Sequence, residues 1–423
     1  MKKLISFIFL ISLVFVDSKS YEGYQVYQTA PLTWESLKLI HDNVLRNSIY
    51  QIWNEPKVGL PAQIVACCQH SGKELANLLE SMDLRPQLLV DNIERIFQQE
   101  REQIDLIRKR DEFSTSRNVT FERFMDYDEI SLYLTEVAAT YPEIAQLASI
   151  GTSYEGRQQN LLKLSNGNGV PKIGIFIDAG IHAAEWLGPS VALNTIFQLT
   201  ANSSANQVFL DMADWYILPV ANPDGYVFSW TEDRLWRKTR RPNEGSDCVG
   251  ADPNRNFDNH WGEGGETDPC LWNYPGPNVY SEIESKNIAD YLLSLKGDLH
   301  LYIATHSYGQ LLLHPYGYTT SEVPPNYNEM YSAANLTASV LESVRGTEYT
   351  FGSSGVVLYL AFGNTQDFAY EAAGARFSYT WELPAGGPNG NDPPATDIKP
   401  VVEETWAAYQ ALIQRVYDTV YPN

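Results

Sequence analysis

The chain has 423 residues, of which 44% are hydrophobic and 12% aromatic, so it can bury one large core or two. Its 30 basic and 52 acidic side chains give a formal net charge of -22. The composition excludes a disordered polymer, and the acidic charge argues against nucleic acid or an anionic membrane surface as a main partner.

The first residues have the layout of a cleavable secretory signal. "MKKLISFIFLISLVFVDSKS" combines two lysines with an apolar run from Leu4 to Val16 and small residues near Ser18. This run is too short to span a bilayer comfortably, and no later segment reaches about 18 uninterrupted apolar residues. We therefore expect residues 1–18 to be a signal peptide, and the mature chain to be secreted, extracellular and without a membrane anchor.

Residues 21 to about 100 predict a small α/β module. The strand-like run "YEGYQVYQ" is followed by helix-like runs such as "TWESLKLIHDNVL" and "SGKELANLLESM". The module ends in a charged helix-like segment that leads into Arg108, Lys109 and Arg110, followed by the polar "STSRN". A basic cluster between two compact regions is a natural protease target, although a solvated helix end is the alternative interpretation.

From about residue 120, helical patterns alternate with short apolar runs. These runs are "IGIFIDA", "WYILPVA", "LHLYIAT" and "FSYTWEL". Strands that are apolar throughout lie in sheets covered on both faces, so the pattern predicts an α/β fold whose sheet is mixed but largely parallel. Ligands of such sheets bind at the strand ends.

Two of the predicted strands lead into candidate metal ligands. His182 and Glu185 follow "IGIFIDA" in "GIHAAEWLG", and His306 ends the strand of "LHLYIATHSYGQ". Two imidazoles and one carboxylate are sufficient for a catalytic zinc with an open position for water. An isolated H-x-x-E pattern is common, so the prediction depends on His306 lying at the same edge of the sheet.

Further charged residues accompany these ligands. Arg237 in "DRLWRKTRR" and Arg255 in "GADPNRNFD" could bind a carboxylate or a developing oxyanion, while surface salt bridges are the alternative. Glu382 lies inside the apolar strand "FSYTWEL", where a carboxylate needs a specific role. We interpret it as a candidate base beside the metal, or as the partner of a buried arginine.

Six segments in this order resemble the zinc metallocarboxypeptidases of the carboxypeptidase A and B type, which are digestive enzymes secreted as zymogens. The segments are "GIHAAEW", "LPVANPDGY", "RLWRKTR", "DPNRNFD", "THSYGQLLLHPYGY" and "FSYTWEL". "YEGYQVYQ" and "IWNEP" support the resemblance in the N-terminal module, so it covers nearly all of the chain after the signal.

The resemblance implies one zinc ion per catalytic domain, held by His182, Glu185 and His306. This ligand set is carried over from the family, whose zinc site is itself a known example of it. Asp252 resembles the carboxylate that orients a zinc-bound histidine.

The resemblance also implies the roles of the reacting and binding groups. Glu382 resembles the general base that activates water on the zinc, and Arg237 the group that stabilises the oxyanion. The residues that resemble the family's substrate-binding groups are Asn254, Arg255, Tyr359, Gln366, Ser307 and Tyr308.

The family's domain organisation would divide the chain after the signal into an inhibitory prosegment, residues 19–110, and a catalytic domain, residues 111–423. The prosegment would consist of an antiparallel sheet with helices and would act as the chain's own inhibitor until an activating endopeptidase cuts in or near "IRKR". The expected substrates are peptide or protein C-termini, and the chain is expected to act as a monomer.

The four cysteines are interpreted in two pairs. Cys248 and Cys270 could close one loop, and this pair matches the family's disulfide. Cys67 and Cys68 are adjacent, so a buried free pair and an unusual bridge are both open.

Two departures from the family pattern bear on the substrate. Ala184 stands where the family usually has an arginine, which predicts a weaker contact upstream of the scissile bond. Gln366 stands at the pocket floor, where an acid selects basic C-terminal residues and an aliphatic selects apolar ones. A neutral amide favours neutral residues, either apolar or amide-bearing, over Lys and Arg. The competing hypothesis is a catalytically inactive relative that binds zinc or peptides.

Overall fold

The computed structural model describes residues 18–54, 56–111, 119–384 and 393–422. Four strands lie in the N-terminal part: β1 (Gln25–Pro31), β2 (Tyr50–Ile52), β3 (Pro61–Ala66) and β4 (Gln87–Val90). They form one antiparallel sheet in the order β2-β3-β1-β4. The helices of this part are α1 (Trp34–Ile40), which continues into a π-helical turn (His41–Leu45), α2 (Gln69–Ser81) and α3 (Glu94–Asp111).

The small sheet is covered by helices because their apolar residues recur on one face. In α2, Leu75 and Leu79 are four residues apart and fully buried, in one cluster with Ile64 of β3 and Ile40 of α1. The expectation of a small α/β module with an antiparallel sheet is confirmed.

The remaining strands belong to one eight-stranded sheet. They are β5 (Ala145–Thr152), β6 (Gln158–Leu164), β7 (Ile173–Ala179), β8 (Ala213–Leu218), β9 (Leu299–Ser307), β10 (Leu311–His314), β11 (Thr350–Ser353) and β12 (Phe377–Leu383). Their order is β11-β10-β12-β9-β7-β8-β6-β5. The four central strands β12, β9, β7 and β8 are parallel to one another, whereas β6 and β10 pair with them antiparallel.

Helices cover both faces of this sheet. They are α4 (Tyr127–Thr140), α5 (Leu187–Leu199), α6 (Ser203–Met212), α7 (Pro223–Thr231), α8 (Ile283–Ser294), α9 (Tyr327–Arg345), α10 (Ser354–Val357), α11 (Thr365–Glu371) and α12 (Ala395–Val420). A short 3-10 turn, Pro253–Arg255, lies between α7 and α8.

Successive residues of the central strand β7 point into two different cores. Ile175 and Ile177 belong to the cluster that contains α4, α5, α9 and α12, while Phe176 belongs to the cluster that contains α8 and α11. All seven residues of β7 are therefore buried, and this explains the uninterrupted apolar run in the sequence. The predicted α/β fold, with a mixed, largely parallel sheet between helices, is confirmed.

The helix α3 joins the two parts of the molecule. Its Phe97 packs in a cluster of the N-terminal part, and its Ile104 packs in the larger core of the second part. The predicted basic cluster forms the last turn of this helix. The predicted domain boundary after residue 110 falls one residue before the end of α3, and it stays a prediction. Residues 112–118, which follow this helix, lie outside the described part. Among the described residues, no helix combines the length and apolar character needed to cross a membrane.

Candidate active site

Three neighbouring parallel strands present chemical groups at one edge of the large sheet. β7 ends at Ala179, and the chain turns through His182 before α5 begins. His306 is the penultimate residue of β9, and Glu382 occupies the same position in β12, directly opposite it in the register. Because parallel strands end at the same edge of a sheet, this order brings the three side chains into one region.

The side chains of His182, Glu185 and His306 converge. One nitrogen or oxygen atom from each lies within 4.8 Å of the others, and all three residues are buried. His182 Nδ1 lies 2.7 Å from Glu185 Oε1 and 3.1 Å from His306 Nδ1, and His306 Nδ1 lies 3.0 Å from Glu185 Oε2. Burial raises the pKa of Glu185, but the charges of the two histidines outweigh it and hold the pKa below its usual value.

This donor set fits zinc. Catalytic zinc takes nitrogen and oxygen ligands from three protein side chains and keeps one position open. Two imidazole nitrogens facing each other beside a carboxylate provide such a set, since a cation between them satisfies all three lone pairs. The opposite nitrogen of His182, Nε2, lies 3.1 Å from Asp252 Oδ1, a contact that fixes the tautomer and the ring orientation of a metal ligand.

Asp252 also holds Arg237 beside the metal-binding group. Arg237 donates from Nε and Nη2 to Asp252 Oδ2 at 3.1 and 3.0 Å, and its Nη1 lies 3.8 Å from Glu185 Oε1. Burial raises the pKa of Asp252, but the charges of Arg237 and His182 outweigh it and hold the pKa well below its usual value. The guanidinium of Arg237 lies over the ring of Trp272, 4.7 Å from the ring centre.

A second arginine lies in the 3-10 turn that follows Asp252. Arg255 donates from Nη2 to Tyr359 Oη at 3.1 Å and from Nη1 to Asn254 O at 2.8 Å. Asn254 Oδ1 accepts hydrogen bonds from the amide and hydroxyl of Thr365, and its Nδ2 lies 3.3 Å from His306 Nε2. The structure therefore connects Asn254, Arg255 and Tyr359 to one another and to the metal-binding group.

The remaining candidates lie around the same region. Glu382 is 6% exposed in β12, and the amide of Ser307 donates to Glu185 Oε2 at 3.3 Å. Tyr308 donates from its hydroxyl to Gln63 Oε1 of β3 at 3.0 Å. Gln366 lies in the first turn of α11 and is 2% exposed, and its Nε2 has no hydrogen-bond partner within the part of the chain that the structure describes.

A cleft of about 320 Å³ lies beside Ser307 and Tyr308, whereas Arg255 and Tyr359 line a separate, smaller cavity. The walls of the cleft include His182, Glu185 and Arg237 from the second part of the molecule, and Tyr50 and Ile52 of β2 from the N-terminal part. The small sheet therefore covers the cleft.

The predicted cysteine pair also lines the cleft, and the disulfide between Cys248 and Cys270 is present. Cys67 and Cys68 are free thiols, the first half-buried and the second exposed, so neither the buried pair nor the bridge is found.

Arg234 connects the N-terminal part with this region through contacts that no sequence pattern predicts. Arg234 stacks on Trp186, with its guanidinium carbon 3.5 Å from the ring centre, and donates to Ala184 O at 2.8 Å. It also donates from Nε to Glu100 Oε2 of α3 at 2.7 Å. The sequence carries no signal for this ion pair, because its residues lie 134 positions apart and only the fold brings them together.

Comparisons with known proteins agree with this fold. The family model described as zinc carboxypeptidase matches residues 130–408. The chain is 41% identical over 299 residues to carboxypeptidase B of Astacus astacus, covering 70% of this chain and 98% of that protein. It is 35% identical over 408 residues to carboxypeptidase A2 of Mus musculus, covering 95% and 96%. The crystal structure of carboxypeptidase A from Helicoverpa armigera superposes with a TM-score of 0.86 at 28% identity, over 94% of this chain and 98% of that one.

The chain therefore belongs to the zinc carboxypeptidase family. It is a metallocarboxypeptidase, a hydrolase that uses zinc, and the substrates of such enzymes are peptide C-termini.

Proposed function

We propose that this chain is a secreted zymogen which, once residues 19–110 are removed, releases single neutral residues from the C-termini of peptides. The observation that carries the proposal is the convergence of His182, Glu185 and His306. Glu382 is paired with His306 in the sheet, and His182 and Glu185 line a cleft that the small sheet covers. Because the small sheet covers the cleft, the uncleaved chain is expected to be latent. Removal of the small sheet would open the cleft at the strand ends to substrate.

In this proposal, His182, Glu185 and His306 hold the zinc ion, and Asp252 orients His182. When bound, zinc polarises the scissile carbonyl and lowers the pKa of water toward ~7.

Glu382 accepts the proton of the attacking water, because it is a buried carboxylate beside the ligands. Arg237 stabilises the negative charge that the carbonyl oxygen develops in the transition state. Asp252 keeps this guanidinium in place before the substrate arrives, so little reorganisation is required during the reaction.

Selection of a free C-terminus requires a fixed cation at the end of the cleft. Arg255 and Asn254 bind the terminal carboxylate in our proposal, because a guanidinium matches a carboxylate in geometry and charge. Tyr359 already bonds to Arg255 and closes over the bound carboxylate. Ser307 and Tyr308 contact the substrate upstream of the scissile bond.

We further propose neutral C-terminal residues as the preferred substrates. Gln366 contributes a buried amide whose Nε2 lacks a partner among the described residues, so it can donate to a neutral polar side chain but cannot neutralise Lys or Arg. A digestive role is suggested by the resemblance to secreted digestive members of the family.

Secretion is supported by the signal-like leader and by the disulfide, which persists in oxidising compartments. Residues 1–17 of the leader lie outside the described part. The activating endopeptidase is expected to cut at Arg110, because Arg110 and its partner Glu122 are exposed, whereas Arg108 is half-buried against Asp126 and Glu129. Arg117, a further candidate, lies outside the described residues.

The test uses the cleaved protein and a blocked dipeptide substrate. Glu382→Gln should lower kcat by about 10²- to 10⁴-fold with the zinc content unchanged, since it removes only the proton acceptor. Removal of zinc by a chelator should abolish the activity, and added zinc should restore it. Glu403→Gln, an exposed change in α12, serves as the matched control. Zinc binding without turnover in the unaltered protein would instead support the inactive relative.

A further inference from the structure

A lysine of the small sheet's connecting loop enters the candidate active site. Lys57 lies between β2 and β3 and is only 8% exposed, although lysine is almost never fully buried. Its ammonium group donates a hydrogen bond to the carbonyl oxygen of Gly309, a residue 252 positions away in the sequence. This contact crosses from the N-terminal part of the molecule into the edge of the large sheet.

The position that receives Lys57 lies next to Glu382. The backbone at Gly309 passes so close to Glu382 that a side chain built on residue 309 would have its Cβ 3.1 Å from Glu382 Cβ. The amide of Gly309 donates to Leu383 O at 2.9 Å, which fixes the loop against β12. The carboxylate of Glu382 is also the negative charge that favours the protonated form of Lys57.

The loop that carries Lys57 is held on both sides. Val58 forms a bridge with Leu32, and the amide of Gly59 donates to Leu32 O at 2.7 Å. In the following strand, Gln63 accepts a hydrogen bond from the Tyr308 hydroxyl, one residue before Gly309. These contacts fix the backbone around Lys57, and the hydrogen bond to Gly309 fixes its ammonium group.

The energetics indicate a functional position for this lysine. Burial lowers the pKa of Lys57 to about 8, and the attraction of Glu382 only partly offsets this effect. A buried charged group often contributes less to stability than an apolar residue of similar size. The ammonium group of Lys57 therefore lowers the stability of the folded chain. Its position beside Glu382, the proposed general base, indicates a functional role.

We propose that the carbonyl of Gly309 and the carboxylate of Glu382 form a binding site for a primary alkylammonium group, and that Lys57 fills this site to keep the uncleaved chain inactive. The inference rests on the proposed function, because it assigns the regulation of the same general base. An ammonium ion held at this position takes the place of the water that Glu382 would otherwise deprotonate.

The first test compares uncleaved full-length proteins. Lys57→Met keeps the length and apolar stem of the side chain but removes the charge, and Lys57→Ala removes both. Each uncleaved variant should hydrolyse a small blocked dipeptide at least about tenfold faster than the uncleaved wild type, since a general base typically contributes 10²- to 10⁴-fold. Lys73→Ala, at an exposed lysine of α2, is the matched control and should remain latent.

Thermal unfolding of the same proteins shows whether a variant loses latency because the charge is absent or because the fold is less stable. Lys57→Met should unfold at the same or a higher temperature than wild type, while its latency decreases. A purely structural role of Lys57 would lower the unfolding temperature together with the latency, and that result would overturn the proposal.

A chemical rescue tests the ligand class. The Lys57→Ala protein lacks three carbon atoms and the ammonium group, so n-propylammonium should suppress its activity again, whereas 1-propanol at the same concentration should not. Equal effects of the two compounds, or unchanged latency of both Lys57 variants, would contradict the proposal. If the cleaved wild type is active in the same assay, such a result refutes only this inference, whereas an inactive cleaved protein refutes the proposed function.

Discussion

The carboxylate of Asp252 holds two functional side chains, His182 and Arg237, in place. Its Oδ1 faces His182 Nε2, and its Oδ2 accepts from Arg237, so the metal ligand and the proposed oxyanion group share one buried anchor. The carboxylate is fully buried, and an isolated charge there would be unstable. The two cations compensate it, and in return they are held in fixed orientations.

The first prediction concerns zinc affinity. Asp252→Asn preserves the shape of the side chain but removes the charge that orients His182, so zinc should bind about 10- to 100-fold more weakly. The dissociation constant is measured by competition with a chelator on the cleaved protein. Asp258→Asn, at an exposed aspartate, should bind zinc as the wild type does. Equal affinities in the two variants would refute the anchoring role.

A second residue-scale prediction concerns specificity. Gln366→Glu places a negative charge where the neutral amide lies, and a charge-assisted hydrogen bond contributes about 1.5–3 kcal/mol. The ratio of kcat/KM for C-terminal Lys to that for C-terminal Leu should therefore rise by at least about tenfold. A scan of C-terminal residues checks this ratio. The same chemical change at the exposed Gln414 is the control, and an unchanged ratio in Gln366→Glu would show that residue 366 does not line the pocket.

Sequence reasoning could identify the residues at strand ends but not those that reach them from the small sheet. His182, His306 and Glu382 all lie in or directly after apolar runs, and the topology of a parallel sheet predicts that such positions meet. Lys57 lies in an ordinary loop sequence, and its contact with Gly309 depends on how the two parts dock. No local pattern encodes that arrangement.

At the scale of elements, the sequence predicted the central strands better than the edge strands. β7 and β12 are buried on both faces and appear as uninterrupted apolar runs, whereas β5 is mostly half-buried or exposed and was missed. The predicted run around β8 extended to Ala221, but the strand ends at Leu218, because Pro219 has no amide hydrogen for the ladder. Edge strands are half-exposed, so their apolar pattern is weaker.

The end of α3 allows a prediction about activation. Arg108 is half-buried and donates to Asp126 and Glu129 at 2.6 and 2.9 Å, whereas Arg110 is exposed and donates to the equally exposed Glu122 at 2.6 Å. A trypsin-like endopeptidase should therefore cut after Arg110. Arg110→Gln should slow activation strongly and Arg108→Gln only slightly, as followed by the appearance of activity and by N-terminal sequencing of the product. A product that begins at Lys109 or at Asn118 would contradict this prediction.

At the scale of the whole molecule, polar contacts between distant residues join the two parts in addition to the apolar packing of Ile104. Glu100 binds Arg234, Gln63 binds Tyr308, and Lys57 binds the carbonyl of Gly309. Polar contacts of this kind hold the small sheet in one orientation. In our proposal they separate once α3 is cut, because water replaces their hydrogen bonds.

The docked arrangement predicts a pH dependence of stability in the uncleaved chain. Burial lowers the pKa of Lys57 from the usual 10.5 to about 8, so between these pH values the unfolded chain binds more protons than the folded one. The free energy of unfolding therefore rises as the pH increases from about 8 to about 10.5. Below about pH 8, the buried ammonium group lowers this free energy by its full amount. The unfolding temperature of wild type relative to Lys57→Met should rise across this window, as measured by calorimetry, while Lys73→Ala should follow wild type. Parallel curves for wild type and Lys57→Met would show that the ammonium group of Lys57 is not buried in solution.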